Sequence, residues 1–231
     1  MVRIEQKGLS EFKPAQYDPN GMFFGYGPIM TDEQRGYVES MFTKQLTIVD
    51  AKSGTGKTTL AVAAAKLIGL DLVYVFAPVQ ENKMGFRPGT QKMKEVEYHQ
   101  PLVDALLEIG ENPSQVIYDE ENIDNAKNGN VWVYPKSHIF ARGTNIQECV
   151  VIIDEAQNFT RGELKKLLTR IHDAAHVIII GHRNQCDLPD PKKSGFVPYM
   201  EHFRNEDYVG IHELTKNFRG RLAQHADELE W

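Results

Sequence analysis

Uninterrupted apolar runs recur along the chain and alternate with stretches of helical periodicity. The runs that predict strands span residues 45–50, 71–77, 148–154, 175–181 and 208–214. Each run is apolar at consecutive positions rather than at every second one, which indicates a strand buried on both faces. Strands of this kind are typical of a parallel sheet covered by helices on both sides. The sequence therefore predicts an α/β fold.

The stretches between these runs predict the helices. A short helix is expected after Thr31 or Asp32, either of which can serve as its N-cap. An alanine-rich helix is expected over 57–69, where Gly69 ends it. Further helices are expected over 161–171 and from about Asn217 onward.

The alternation of strands and helices breaks at two places. Residues 1–28 are rich in glycine, proline and aromatic residues and predict an irregular lead-in, so that a single domain is expected over 29–231. Residues 78–136 contain a helical pattern near 93–109 and a polar stretch. We interpret 78–136 as an elaborated crossover inside that domain.

Composition narrows the classes of protein to be considered. Hydrophobic residues make up 41% and charged residues 25% of the 231 positions, values that support a packed core. No apolar run reaches the roughly 18 residues of a membrane span, and the N-terminal sequence lacks the apolar stretch of a signal peptide. Cys149 and Cys186 form no C-x-x-C pair, which argues against a disulfide framework or a zinc site. We therefore expect a cytoplasmic protein.

The strand at 45–50 leads into a glycine-rich loop with the spacing of a phosphate-binding loop. From Ala51 the chain reads A-K-S-G-T-G-K-T, with alanine in place of the usual first glycine. Glycines let backbone N–H groups turn inward around a phosphate, and the following helix directs its positive end there. Lys57 is predicted to bind the β and γ oxygens, and Thr58 to bind Mg²⁺ through its hydroxyl. The predicted nucleotide-contacting residues are Ser53, Gly54, Thr55, Gly56, Lys57, Thr58 and Thr59.

A second cluster of polar residues follows the strand at 148–154. Asp154 and Glu155 stand at its carboxyl end, where open α/β sheets bind ligands. In a chain that has a phosphate-binding loop, Asp154 is predicted to hold Mg²⁺ through a water, and Glu155 to orient the attacking water. Gln157 and Asn158 continue this loop as candidates for sensing the γ-phosphate or for a link to a nucleic-acid site. Together the two clusters predict Mg²⁺-dependent hydrolysis of ATP.

Three further residues are candidates on less specific grounds. Gln185 follows the strand at 175–181, whose end faces the γ-phosphate if that strand lies between the strands that precede Lys57 and carry Asp154. Arg219 is a candidate arginine finger, acting in cis or across a subunit interface, although an arginine at a helix start is more often a surface residue. Gln34 has no distinguishing spacing, and a solvated helix position is the simpler interpretation from the sequence.

Longer segments around these motifs carry a more specific signal. They are MGFRPG at 84–89, DEAQN at 154–158 and QCDLP at 185–189. With the glycine-rich loop they resemble the PhoH-like proteins, P-loop ATPases related to the core of superfamily 1 helicases, over about residues 28–229. One departure is His182, which follows Gly181 where the family commonly has aspartate, so no role of that aspartate is carried over.

The resemblance implies a RecA-like sheet in which the strand at 175–181 separates the two phosphate-site strands. It makes Gln34 similar to the glutamine that helicase-like ATPases place near the adenine, and Arg219 similar to the helicase arginine that reaches the γ-phosphate. It also implies RNA or single-stranded nucleic acid as a partner, and a homo-oligomer in the form of a hexameric ring. Some compact family members are encoded by bacteriophages, which leaves open a phage protein that acts in the host cytoplasm.

Nucleic-acid binding would require a local basic patch, because the net charge of −6 gives no global attraction to phosphates. Cations close to aromatic rings, on which single strands stack, are the candidates for contact. They are Phe86, Lys92, Lys94, Tyr134, Lys136, Phe140, Arg142, Lys192 and Lys193. The lysines among them are equally consistent with an ordinary solvated surface.

Two other functions fit the same motifs. A P-loop kinase would transfer the phosphoryl group to a small molecule, but Glu155, Gln185 and Arg219 are better suited to the activation of water. A nucleotide-dependent switch would hydrolyse ATP slowly and act through partner binding. Phosphate release stimulated by RNA would favour a motor over a switch, and ADP formation only with a nucleoside acceptor would favour a kinase.

Overall fold

The computed structural model describes residues 11–77, 100–119, 129–137, 148–222 and 225. Within these residues the strands form one sheet, in which all paired neighbours run parallel. The strands are β1 (Leu46–Ala51), β2 (Leu72–Phe76), β3 (Val133–Ser137), β4 (Val150–Asp154), β5 (His176–Gly181) and β6 (Val209–Leu214). Their order across the sheet is β3-β2-β4-β5-β1-β6.

Helices cover both faces of this sheet. They are α1 (Asp32–Thr43), α2 (Lys57–Ile68), α3 (Gln100–Glu108), α4 (Pro113–Val116), α5 (Arg161–Leu168) and α6 (Phe196–Phe203). One core, which includes Leu60 and Leu102, lies between the sheet and α1, α2 and α3. The other, which includes Leu164 and Phe196, lies between the sheet and α5 and α6. The predicted α/β fold with a doubly covered parallel sheet is confirmed.

The central strands explain why the apolar runs are continuous. Along β4, Val150 and Ile152 belong to one core, whereas Val151 and Ile153 belong to the other. Successive side chains of a strand point to opposite faces, so a strand between two helical layers must be apolar at every position. No helix among the residues described here is both long and apolar enough to cross a membrane.

The strand order brings the two predicted phosphate-site strands to either side of β5. β5 pairs in parallel with β1 on one side and with β4 on the other. The carboxyl ends of β1 and β4 therefore meet at the same edge of the sheet, with the loop after β5 between them. This RecA-like arrangement is the one that the sequence resemblance implies.

The sequence prediction differs from the structure at two elements. β3 begins inside the predicted crossover, 78–136, and ends one residue beyond it. As an edge strand that contains Pro135, it lacks the continuous apolar pattern of the central strands. The last helix does not begin near Asn217, because residues 215–220 are non-helical and helical conformation appears only at Arg221. Residues 93–99 of the predicted helix near 93–109 lie outside the described part, and α3 confirms the remainder. The division into a lead-in and one domain stays a prediction.

Candidate functional site

The loop between β1 and α2 has the backbone that a phosphate-binding loop requires. Gly54 and Gly56 have φ angles of 76° and 79°, in the left-handed region that glycine adopts without strain. Gly56 is the N-cap of α2, so the N–H groups of the first helical turn have no intrahelical acceptors and suit a phosphate. Thr55 is buried and closes the loop, because its hydroxyl donates to the Lys52 carbonyl at 3.0 Å.

Lys57 and Thr58 place two functional side chains at the start of α2. Lys57 is 8% exposed, and its Nζ donates to the Ala51 carbonyl oxygen at 3.3 Å. The ammonium group therefore points toward Ala51, at the start of the phosphate-binding loop. The Thr58 hydroxyl donates to Asp154 Oδ2 at 3.1 Å. The predicted metal ligands, separated by 96 positions in the sequence, are in direct contact.

Asp154 ends β4 and is almost fully buried. Its Oδ2 accepts hydrogen bonds from Thr58 and from the Tyr74 hydroxyl, the latter at 2.5 Å, and its Oδ1 accepts from the Glu155 N–H at 2.9 Å. Burial raises the pKa of Tyr74 well above its usual value, and Asp154 raises it further, so the phenol is the donor. Hydroxyl and carboxylate oxygens are the hard ligands that Mg²⁺ prefers. The Thr58–Asp154 pair therefore fits the predicted metal.

Glu155 is held in an unusual backbone conformation. Its φ and ψ of 52° and 44° lie in the left-handed region, where a non-glycine residue is strained by about 1–3 kcal/mol. The Glu155 carboxylate accepts a hydrogen bond from Gln157 Nε2 at 2.5 Å. Desolvation raises the pKa of the Glu155 carboxyl, and the nearby Asp154 raises it further. Strain retained at a polar site is typical of functional residues.

Gln157 and Asn158 connect the loop after β4 to the loop after β5. Gln157 uses its other amide atom, Oε1, to accept from the His182 N–H at 3.0 Å. Asn158 Oδ1 accepts from the Asp187 N–H at 2.8 Å. His182, the departure from the family pattern, is buried and contributes its backbone N–H to this connection. The structure thus shows Gln157 and Asn158 linking two loops, and both of their predicted roles, sensing the γ-phosphate or connecting to a nucleic-acid site, stay predictions.

Gln185 lies in the loop after β5, where its N–H donates to the His182 carbonyl at 3.2 Å. Arg183 fastens this loop to β1, because its N–H donates to Asp50 Oδ1 at 3.1 Å and its guanidinium forms an ion pair with Asp50. The hydrogen bond to Asp50 raises the pKa of Arg183. Asp50 directly precedes Ala51, so the predicted sensor loop is attached to the start of the phosphate-binding loop.

Gln34 lies against the phosphate-binding loop, and at 8% exposure it is not the solvated position that the sequence favoured. Its Nε2 donates to the Thr55 carbonyl at 3.0 Å, and its Oε1 accepts from the Thr31 N–H at 3.0 Å. The second contact belongs to the capping box that starts α1. An amide carries two donor hydrogens and two lone pairs, so Gln34 retains capacity for a base. Its contact with adenine stays a prediction.

Thr59 is engaged by the helix that packs on α2. Its hydroxyl donates to Glu108 Oε2 at 2.9 Å, and the Tyr26 hydroxyl donates to the same oxygen at 3.0 Å. The Thr59 group suited to a nucleotide is therefore its backbone N–H, at the positive end of α2, and its contact with a nucleotide stays a prediction.

The segment after β6 lies on the phosphate-binding loop of the same chain. The Phe218 N–H donates to the Gly54 carbonyl at 2.8 Å. A Cβ at Gly54 would lie 2.5 Å from Asn217 Oδ1 and 2.6 Å from Arg219 Cγ, so a side chain at Gly54 would displace this segment. Arg219 is exposed, and its side chain starts directly beside the loop.

The start of that segment is fixed to α1. The Glu33 carboxylate accepts from the N–H and from the hydroxyl of Thr215, both at 2.8 Å. These two hydrogen bonds lower the pKa of Glu33, which keeps the carboxylate charged. Helix α1 therefore supports both Gln34 and the approach of Arg219 to the loop.

The structure brings most of the predicted site residues together and adds one that the sequence analysis missed. Tyr74 was missed because it stands within the apolar run of β2, although a buried tyrosine hydroxyl needs a partner and could have been flagged on that ground. Of the predicted nucleic-acid residues, Tyr134 stacks on Tyr118 with a centroid distance of 5.5 Å. The segment 84–89 and the candidates Phe86, Lys92, Lys94, Phe140 and Arg142 lie outside the described residues.

The fold and the site define the class of protein. A phosphate-binding loop after β1, an aspartate at the end of β4 and β5 between these strands are the features of a P-loop NTPase. The family model described as PhoH-like protein matches residues 28–228. The chain belongs to the PhoH-like protein family, and the predicted resemblance is confirmed.

Comparison with curated proteins gives several relatives. The chain is 34% identical over 202 residues to Protein PhoH of Escherichia coli strain K12, a match that covers 84% of this chain and 55% of that protein. It is 33% identical over 195 residues to Protein PhoH2 of Bacillus subtilis strain 168, covering 80% of this chain and 42% of that protein. The chain thus spans about half the length of these relatives.

Solved helicase structures show more distant similarity. The UvsW helicase of bacteriophage T4 is 10% identical, with a TM-score of 0.47 and coverage of 89% of this chain and 64% of that chain. The Hef helicase domain of Pyrococcus furiosus is 13% identical, with a TM-score of 0.47, and the match covers 80% of this chain and 38% of that chain.

Proposed function

We propose that this protein hydrolyses ATP in a Mg²⁺-dependent reaction. The observation that carries the proposal is the contact between Thr58 and Asp154, with Lys57 and Glu155 as their respective neighbours in the sequence. These are the groups needed to bind the terminal phosphates, to hold a metal ion and to direct water onto the γ-phosphate. A Mg²⁺ ion held by Thr58 and Asp154 would neutralise charge on the β and γ oxygens.

The chain's own residues then have distinct roles. The loop N–H groups and Lys57 bind the phosphates, which requires the ammonium group to leave the Ala51 carbonyl for the γ-phosphate. Gln34 is proposed to bind the adenine. Glu155 is proposed to orient the attacking water, and the hydrogen bond from Gln157 Nε2 fixes the position of its carboxylate. Gln185 is proposed to respond to the γ-phosphate through its loop.

Arg219 is proposed to act in cis. The segment 217–219 already lies on Gly54 of the same chain, and α1 holds the approach to it through Thr215. A guanidinium in this place can stabilise charge on the transferring phosphoryl group. The hexameric ring implied by the family resemblance is then not required for the arginine to reach the phosphate.

Glu155→Gln is expected to keep ATP binding and to slow hydrolysis by on the order of 10² or more, because the general base is lost while the metal ligands stay. Phosphate release and equilibrium ATP binding should be measured on the same preparation. Glu206→Gln, at an exposed position in the turn before β6, is the matched control and should behave as wild type. A loss of ATP affinity as large as the loss of rate would place Glu155 in binding rather than in catalysis.

We further propose that hydrolysis is coupled to RNA or single-stranded nucleic acid. The support is the connected path from Glu155 through Gln157 to the loop after β5, which leads to the exposed Lys192 and Lys193. Binding of backbone phosphates at these lysines would shift the loop after β5, which is hydrogen-bonded to Gln157 and through it to Glu155. Such binding should weaken steeply with salt, because counterions are released from the nucleic acid.

The coupling is tested by phosphate release from ATP with and without single-stranded RNA, single-stranded DNA and duplex DNA, on a sample of known mass. We expect stimulation by a single strand that falls as salt rises. The double substitution of Lys192 and Lys193 by alanine should remove the stimulation, whereas the same change at the exposed Lys165 and Lys166 on α5 should not. No stimulation by any nucleic acid would contradict the coupling and favour a switch, and turnover only with a nucleoside acceptor would identify a kinase.

A further inference from the structure

Tyr74 is a buried tyrosine whose hydroxyl reaches the candidate metal site from a neighbouring strand. It lies in the middle of β2, is 1% exposed, and faces the core shared with α1, α2 and α3. Its hydroxyl donates to Asp154 Oδ2 at 2.5 Å. In the register of the two strands Tyr74 pairs with Ile152, so its side chain spans two positions along β4 to meet Asp154.

Packing alone does not account for a tyrosine at this position. The neighbouring residues of β2 on the same face, Leu72 and Phe76, are purely apolar. A phenylalanine would fill nearly the same volume without a polar group to satisfy, whereas a buried hydroxyl is costly unless it is hydrogen-bonded. The distinguishing property of Tyr74 is therefore its bond to the carboxylate.

Among the described residues, three donors bond to the Asp154 carboxylate, and they differ in kind. Thr58 is itself a proposed metal ligand, and the Glu155 N–H belongs to the adjoining backbone. Tyr74 is the side-chain donor that lies outside the proposed metal set. Partners of this kind fix the orientation of a ligating carboxylate and tune the affinity for the metal.

We infer that Tyr74 is a positioning residue for Mg²⁺, which it serves by holding the Asp154 carboxylate beside Thr58. The inference rests on the proposed function, because it takes Thr58 and Asp154 as the metal ligands. In this role the Tyr74 hydroxyl acts through the Asp154 carboxylate and is not itself a proposed ligand of the metal or of the phosphates. Its loss should therefore change the Mg²⁺ concentration that the protein needs more than the rate it reaches when Mg²⁺ is saturating.

The test is Tyr74→Phe, followed by thermal unfolding in a fixed concentration of a non-hydrolysable ATP analogue while Mg²⁺ is titrated. Stabilisation by the nucleotide reports binding without turnover. We expect the midpoint Mg²⁺ concentration to rise by about 10- to 100-fold, the usual effect of removing an outer-shell partner. Phosphate release at saturating Mg²⁺ should change much less than this midpoint.

Two comparisons separate this effect from a general loss of packing. Ser40→Ala removes another buried hydroxyl, which is hydrogen-bonded to the Thr47 hydroxyl at 2.9 Å, and it should leave the Mg²⁺ midpoint in place. In an Asp154→Ala background, Tyr74→Phe should cause no further shift, because no side-chain oxygen through which it acts is left.

The possible outcomes distinguish this inference from the proposed function. A wild-type Mg²⁺ midpoint in Tyr74→Phe, or an equal shift in the Asp154→Ala background, would overturn the role of Tyr74 and leave the proposed ATPase standing. A wild-type protein that gains no stability from Mg²⁺ with the ATP analogue would contradict the proposed function, and the inference would fall with it.

Discussion

Lys57→Ala is expected to abolish ATP hydrolysis and to weaken ATP binding sharply. Lys57 is the buried cation of the phosphate-binding loop, and its Nζ donates to the Ala51 carbonyl at 3.3 Å. Without it the β and γ oxygens lose their charged partner at the point where negative charge is concentrated. Turnover and ATP affinity should be measured in saturating Mg²⁺.

A matched lysine separates the local effect from a change in net charge. Lys166→Ala alters an exposed lysine on α5, on the other face of the sheet from α2, and should leave turnover unchanged. Turnover of Lys57→Ala within about a factor of two of wild type would contradict a phosphate-binding role. The loss of a contact that stabilises the transition state lowers the rate by far more than this.

Arg219→Ala is expected to bind ATP normally and to hydrolyse it about 10³-fold more slowly or worse, the usual contribution of an arginine that reaches the γ-phosphate. Arg219→Lys should restore little, because an ammonium group cannot reproduce the planar guanidinium fork. Arg204→Ala, which removes an exposed arginine paired with Glu201 on the surface, serves as the control and should keep full activity.

Mixing experiments distinguish cis from trans action of Arg219. Because its side chain starts beside Gly54 of its own chain, a mixture of Arg219→Ala and Glu155→Gln proteins should recover no activity. Recovery in the mixture would show that the arginine serves a neighbouring subunit. Full activity of Arg219→Ala alone would return Arg219 to the surface role that its sequence position first favoured.

The parts of the molecule that follow from local sequence rules were predicted well. The phosphate-binding loop is a contiguous motif, and the central strands carry a continuous apolar pattern because both of their faces are buried. The contact of Thr58 with Asp154 follows from parallel topology, since the carboxyl ends of β1 and β4 flank β5 at one edge. For these residues the motif, the element and the strand order all indicate the same site.

The remaining features depend on contacts that no local pattern encodes. The chain after Leu214 was predicted to become helical near Asn217, but its backbone is instead hydrogen-bonded to Gly54 across the site. Gln34 is an ordinary helix residue by spacing and becomes part of the site only because α1 packs against the loop. The role of Tyr74 is likewise not visible in the sequence, because Tyr74 stands within an apolar run that predicts only a buried strand. In each case tertiary packing, rather than propensity, decides the role.

The most direct test of the central claim is the release of inorganic phosphate from ATP by the purified protein, with the Glu155→Gln protein purified in parallel. We expect phosphate and ADP in equal amounts from the wild-type protein, without an added acceptor. We also expect chelation of Mg²⁺ to stop the reaction and Glu155→Gln to retain ATP binding. Wild-type phosphate release no greater than that of Glu155→Gln, in a sample that binds ATP, would contradict the central claim.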